Sequence, residues 1–227
     1  MALSDEPVTN EEAGAACAGG PSAWRVFWGT VVSPRRTFSD LGRDDHAARN
    51  GALVLLLVSF VYTFILLVFI ARGYPAAARS VLNLPTTTQY RVQLWYEVPL
   101  FFAGTALSAW LLTWIARWSH RNCAFRIAFG RLALATAVPF ALTTMLVEFA
   151  VAFLLALGVL APAATLRWLT GDGAWFAAMY QVVGLVWLAA LVVIAVRATA
   201  AVTWRMSVAG GVSLLVVYGL PIALLIR

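Results

Sequence analysis

One carboxylate stands alone in the longest apolar stretch of this chain. Residues 132–166 carry a single formally charged side chain, Glu148. It lies 17 residues beyond Arg131, or roughly 25 Å along a straight helix rising about 1.5 Å per residue. Thr144 precedes it by one helical turn on the same face. Gln181 falls about 12 Å into the next apolar run from its near end, a compatible depth. An ionised carboxylate at that depth costs several kcal/mol, so the group must be neutral, paired or open to a wet cavity. Two kinds of chemistry meet that requirement. Glu148 is either a protonatable site in a transport or lipid-moving path, or a protonated acid donating to Gln181, Thr144 or a carbonyl and joining helices. The second is the simpler reading, because a relay ordinarily uses more than one intramembrane ionisable group. Glu97 is not expected to be that second group. It reads as the mouth of an apolar run, within reach of water and Arg91.

Other chemistry finds little support. His120 and Cys123 are three residues apart, but one such pair falls short of the four ligands of a closed zinc site. There is no G-x-S-x-G elbow and no H-E-x-x-H, and a phosphate loop ending in Lys is impossible because the chain contains no Lys. Asp172, between Gly171 and Gly173, marks a turn. A second intramembrane Asp for an aspartyl dyad is missing. The expectation is a protein without catalytic residues, metal or cofactor.

The elements that position Glu148 follow from composition. Of 227 residues, 62% are hydrophobic and only 11% charged, against about 25% charged in soluble domains. Five runs are long and apolar enough to cross a bilayer: about 50–71, 96–117, 132–160, 173–196 and 206–226. Strand-like alternation is absent, and backbone groups in lipid must be satisfied within helices. The expected fold is therefore all-α, a polytopic integral membrane protein with a five-helix membrane domain over 50–227. Gly104 and Ser108 in the second span, and Gly210 and Gly211 in the fifth, are small residues that let helices approach closely. They suit packing or a homo-oligomer. Trp110, Trp114 and Trp118 recur every fourth residue and read as an interfacial or packing stripe.

The segment before the first span divides in two. Residues 1–21 are acidic, with Asp5, Glu6, Glu11 and Glu12, and poor in large apolar side chains, which predicts a disordered tail. Residues 22–49 predict an amphipathic helix. Trp24, Phe27, Trp28 and Val31 share one face, Ser22 is a suitable N-cap, and Pro34 ends the turn. Such a helix is too short to span. It lies flat among headgroups, with Arg25, Arg35 and Arg36 on phosphates, or packs on the end of the bundle. Thr37, Phe38 and Leu41 predict a further short turn.

The net charge of +6 arises from 16 basic residues, all Arg. They sit beside the spans, which favours lipid phosphates over nucleic acid as partner. Eleven arginines fall on the side of the amino terminus and five on the other. The positive-inside rule then makes the amino terminus cytosolic and the carboxyl terminus external, in a prokaryotic inner membrane.

The segment Val31-Val32-Ser33-Pro34-Arg35-Arg36-Thr37-Phe38-Ser39-Asp40-Leu41, entering the first of five spans, resembles the opening of the YIP domain family of Ypt/Rab-interacting membrane proteins. Residues 125–139, with Arg131 and Pro139, resemble that family's entry into its third span. Residues 180–204, with Trp187, Arg197 and Ala198, resemble its fourth span and following turn. The resemblance implies a five-helix protein with a cytosolic amino terminus. Eukaryotic relatives are linked to vesicle trafficking and membrane shaping. The resulting expectation is a non-enzymatic membrane scaffold or adaptor whose amino-terminal segment meets lipid or a protein partner. The alternative is a small transporter, channel or lipid-moving protein that uses Glu148.

Overall fold

A computed structural model describes residues 22–76, 85–120 and 123–226, apart from the side chains of Thr87 and of 220–226. Every regular element among them is helical. The order is α1 (Ala23–Val32), α2 (Pro34–Asp40), a 3-10 turn (Leu41–Arg43), α3 (Ala47–Ala71), α4 (Thr86–Trp118), α5 (Phe125–Phe140), a π-helical turn (Ala141–Met145), α6 (Leu146–Ala156), α7 (Pro162–Thr170), α8 (Ala174–Ala200) and α9 (Trp204–Ile226). Among the described residues four helices are long and apolar enough to cross a membrane: Ala47–Ala71, Thr88–Trp118, Phe125–Ala156 and Ala174–Ala200. The acidic tail with Cys17, the middle of the loop between α3 and α4, and Arg121 lie outside the described residues.

The bundle is built on α5. From Gly130 to Pro139 every residue is buried, and α5 packs against α3, α4, α8 and α1. Small residues recur along its buried middle, at Ala128, Gly130, Ala133, Ala135 and Ala137, which lets neighbouring backbones close in. A Cβ on Gly130 would lie 2.4 Å from the Ala47 carbonyl oxygen, and one on Gly51 would lie 2.7 Å from the Gly130 Cα. The α3–α5 crossing is thus a backbone-to-backbone contact. At the other end of the bundle the Arg72 guanidinium donates to the Ala156 carbonyl, joining the ends of α3 and α6. The outer face of α3 is opposite in character to a soluble helix: Leu53, Leu56, Leu57, Phe60, Phe64 and Leu67 are all exposed. A surface of that kind is stable against hydrocarbon rather than water.

Several boundaries differ from the sequence reading. The long third run ends at Ala156, and Gly158 takes a positive φ of 73° in the turn beyond it. Pro162 then opens a separate helix, α7, as its fixed φ and missing donor favour. The second span begins ten residues earlier than expected, at Thr86, with Pro85 as its cap. Pro99 consequently lies well inside α4 and not at its start, where it removes one ladder hydrogen bond.

The amino-terminal helix forms over Ala23–Val32, and the Arg25 amide donates to Ser22 Oγ. It packs on the end of the bundle with its two tryptophans turned outward. Val26 and Thr30 are buried, with Ala23, Phe27 and Val31 packed at the edge of the core. Trp24 and Trp28 point away, 64% and 41% exposed. The two tryptophans and Phe27 form an aromatic cluster with centroid separations of 5.4–5.9 Å. The helix therefore packs on the bundle through its smaller apolar residues and displays its largest ones. Phe38 and Leu41, in α2 and the turn after it, are fully buried and anchor this layer.

Candidate functional site

The site begins with Pro139. Proline in a helix interior cannot donate to the carbonyl four residues back and clashes with it. Directly after it, Ala141–Met145 widens into one π turn, and α6 continues from there. Such turns redirect the side chains that follow. Thr143 Oγ1 donates to the Pro139 carbonyl at 2.7 Å. Facing it, Gly184 of α8 leaves the needed space: a Cβ there would come within 2.5 Å of Thr143 Oγ1. The π turn and Gly184 thus fix how α6 and α8 meet.

Beyond that junction α3, α4, α6 and α8 enclose a chamber of about 200 Å3. Its polar lining comprises Tyr62, Tyr74, Gln89, Tyr90, Gln93, Glu148, Tyr180 and Gln181. The first two sequence candidates, Glu148 and Gln181, therefore meet in one cavity. Thr144 instead lines an adjoining, more apolar cleft of about 510 Å3, which Tyr62 and Gln181 also border. Those two side chains separate the chamber from the cleft. Tyr62 and Gln93 are joined by a side-chain hydrogen bond. Just past the end of α3, burial and then the Glu148 carboxylate push the Tyr74 phenol up to about 12.

Glu97 corrects the sequence reading. It is 0% exposed, and neither carboxylate oxygen has a hydrogen-bond partner among the described residues. Glu148 lies within its electrostatic reach. The reason is the early start of α4, which carries Glu97 inside the bundle. The signal was present in the sequence: Gln89, Gln93 and Glu97 are spaced four apart, and all three are buried. With Phe101, Thr105 and Ser108 they form one continuous inward face of α4.

The remaining candidates are distributed as follows. Gly104 packs on the Tyr218 ring of α9, where a Cβ would lie 3.1 Å away, and Ser108 is buried. Gly210 and Gly211 face Val196 and Val193 of α8. These four small residues serve contacts within the chain and do not present a free face for a second copy. Trp110, Trp114 and Trp118 are exposed along the outside of α4. Arg25 and Arg36 are exposed, and Arg36 sits 3.9 Å from Asp40. Arg35 lines a cleft on the opposite flank of α2. Arg131, expected among headgroups, is instead 4% exposed. Its Nε donates to the Phe38 carbonyl at 2.7 Å and its Nη1 to Thr199 Oγ1 at 2.9 Å. No group of three or more metal-ligating side chains occurs among the described residues. Compared with protein-family models, curated proteins and solved structures, the chain matches none.

Proposed function

We propose that this chain is a non-enzymatic membrane protein of the transporter or channel class, in which Glu97 and Glu148 bind and release a proton in the course of moving a small polar solute. The observation that carries the reading is Glu97: a fully buried carboxyl whose oxygens find no donor, with a second carboxyl in electrostatic reach. A purely structural acid would be expected to find a partner. Two carboxylates in a dry interior cannot both stay ionised without a proton or cation between them. The chamber that Glu148 lines, and the cleft adjoining it, supply the space for a solute. In this reading α9, 23 residues long, is the fifth span. The arginine asymmetry then makes the amino terminus cytosolic and directs the carboxyl pair towards the external half of an inner membrane.

Proteoliposomes holding a pH-sensitive dye test this directly. With a mixture of small polar solutes supplied on one side, the full chain should dissipate an imposed pH gradient faster than empty vesicles. Glu97→Gln and Glu148→Gln should each remove most of the excess rate. A wild-type rate equal to that of empty vesicles sinks the proposal.

A second reading, the scaffold or adaptor that the YIP-type opening segment implies, is favoured by one observation: the aromatic cluster at the exposed side of α1. Trp and Phe on such a face suit headgroups or a protein partner. Absence of flux, together with loss of partner capture or membrane remodelling in Trp24→Ala/Trp28→Ala, would select this reading over the first.

A further inference from the structure

At the end of the bundle that carries α1 and α2, the structure holds a cleft of about 720 Å3 between α2, the 3-10 turn, α5, α8 and the start of α9. Four of its lining residues are arginines: Arg35, Arg43, Arg131 and Arg197. No carboxylate lines it, and none of the four forms an ion pair among the described residues. Elsewhere at this end the chain does pair its charges: Arg126 meets Asp45 at 2.7 Å, and Arg36 lies near Asp40.

The floor of the cleft is the decisive feature. Arg131 is almost wholly buried, yet both of its hydrogen bonds go to uncharged acceptors, the Phe38 carbonyl and Thr199 Oγ1. A guanidinium does not shed its proton in a protein, so a buried cation here lacks a counter-charge. Its position is nevertheless built. Gly42 in the 3-10 turn makes room for it, since a Cβ there would come within 2.6 Å of Nη2. Thr199 is itself oriented by donating to the Ala195 carbonyl at 2.8 Å. At the rim, the Arg197 guanidinium is held 5.8 Å from the Trp204 ring, within the range of a cation–π contact.

We propose that this cleft binds a phosphate group, held by Arg131 from below and by Arg35, Arg43 and Arg197 at the rim. Guanidinium forks match the oxygens of phosphate, and convergent arginines without acids are the arrangement that an anion of more than one charge offsets. The phosphate comes from a lipid headgroup or from a free phosphorylated solute. The chemistry at the arginines is shared by the two sources. This site is independent of the carboxyl pair: either can fail without the other.

The test uses the full chain in uncharged detergent micelles, with equilibrium binding of radiolabelled inorganic phosphate in one arm and of short-chain phosphatidic acid in the other. A choline-headgroup lipid is the control. Saturable binding of phosphatidic acid that inorganic phosphate does not displace assigns the site to a headgroup. Saturable binding of inorganic phosphate, with no gain from the lipid, assigns it to a free phosphate. Either result supports the proposal if Arg197→Gln and Arg43→Gln, which change exposed rim residues, each weaken binding by roughly tenfold or more, while Arg49→Gln leaves it unchanged. The rim variants keep the test valid even if Arg131→Gln fails to fold. Absence of saturable binding in both arms overturns the proposal, and so does equal weakening by Arg49→Gln, which would indicate only a diffuse basic surface.

Discussion

Glu97 and Arg131 both hold their ionisable groups inside the bundle, 0% and 4% exposed, and for the same physical reason. Hydropathy windows place charged side chains at the ends of spans, because a charge inside lipid is costly on an isolated helix. In a bundle the relevant surroundings are other helices. Arg131 is covered by α2 and its following turn, and Glu97 by the early start of α4. Glu148 was legible because no other charge accompanies it in residues 132–166. Glu97 is hidden because the apolar run starts only at about residue 96, which puts this carboxyl at its mouth. An unpartnered buried carboxyl weakens the fold. Glu97→Met keeps the length of the side chain and removes the desolvated group. It should raise the midpoint of thermal unfolding in detergent, by a gain of about 1–3 kcal/mol, while abolishing the excess proton flux. A lower midpoint with flux intact would identify Glu97 as a structural partner of its neighbours instead.

At the scale of elements, the apolar runs give the four described spans with most ends off by a few residues, the start of α5 by seven and the start of α4 by ten. The pairing of those spans was much less legible. Gly104 and Gly210–Gly211 were readable as small-residue contacts, yet their partners on α9 and α8 were not. Gly51 and Gly130, which let the backbones of α3 and α5 meet, carry no spacing signature that marks them from other glycines. The π turn was equally hidden: widening one turn leaves the hydropathy of 132–156 unaltered, and only Pro139 hinted at an irregularity. The α3–α5 crossing permits a direct test. In Gly130→Ala the added methyl meets the Ala47 carbonyl, which is backbone and cannot swing aside. Overpacking of this kind costs about 1–3 kcal/mol, so the unfolding midpoint should fall clearly below that of the parent. Gly219→Ala on α9, with nothing within 4 Å of the new Cβ, should leave it level or slightly raised. Equal midpoints for the two variants would mean that α3 and α5 do not cross at these glycines.

The whole molecule is polarised along its long axis. One end gathers Arg35, Arg43, Arg131 and Arg197 around a cleft of about 720 Å3; the half beyond Pro139 gathers Glu97 and Glu148 with tyrosines and amides. A bilayer turns that asymmetry into a topology. On the proposed topology the arginine-rich end resists translocation and stays on the cytosolic side. If α9 crosses the membrane after the four described spans, the two termini lie on opposite sides. Cysteine scanning decides this. Cys123 gives little background at neutral pH, because burial pushes its thiol up against the opposing influence of Arg131, but Cys17→Ser/Cys123→Ser provides a clean parent. In that parent, a membrane-impermeant maleimide added to intact cells should label Arg227→Cys and leave Ser4→Cys unlabelled until the cells are opened. Labelling of both, or of neither, in intact cells would put the termini on one side. The chain would then cross an even number of times, and the carboxyl pair would lose its assignment to the external half of the membrane.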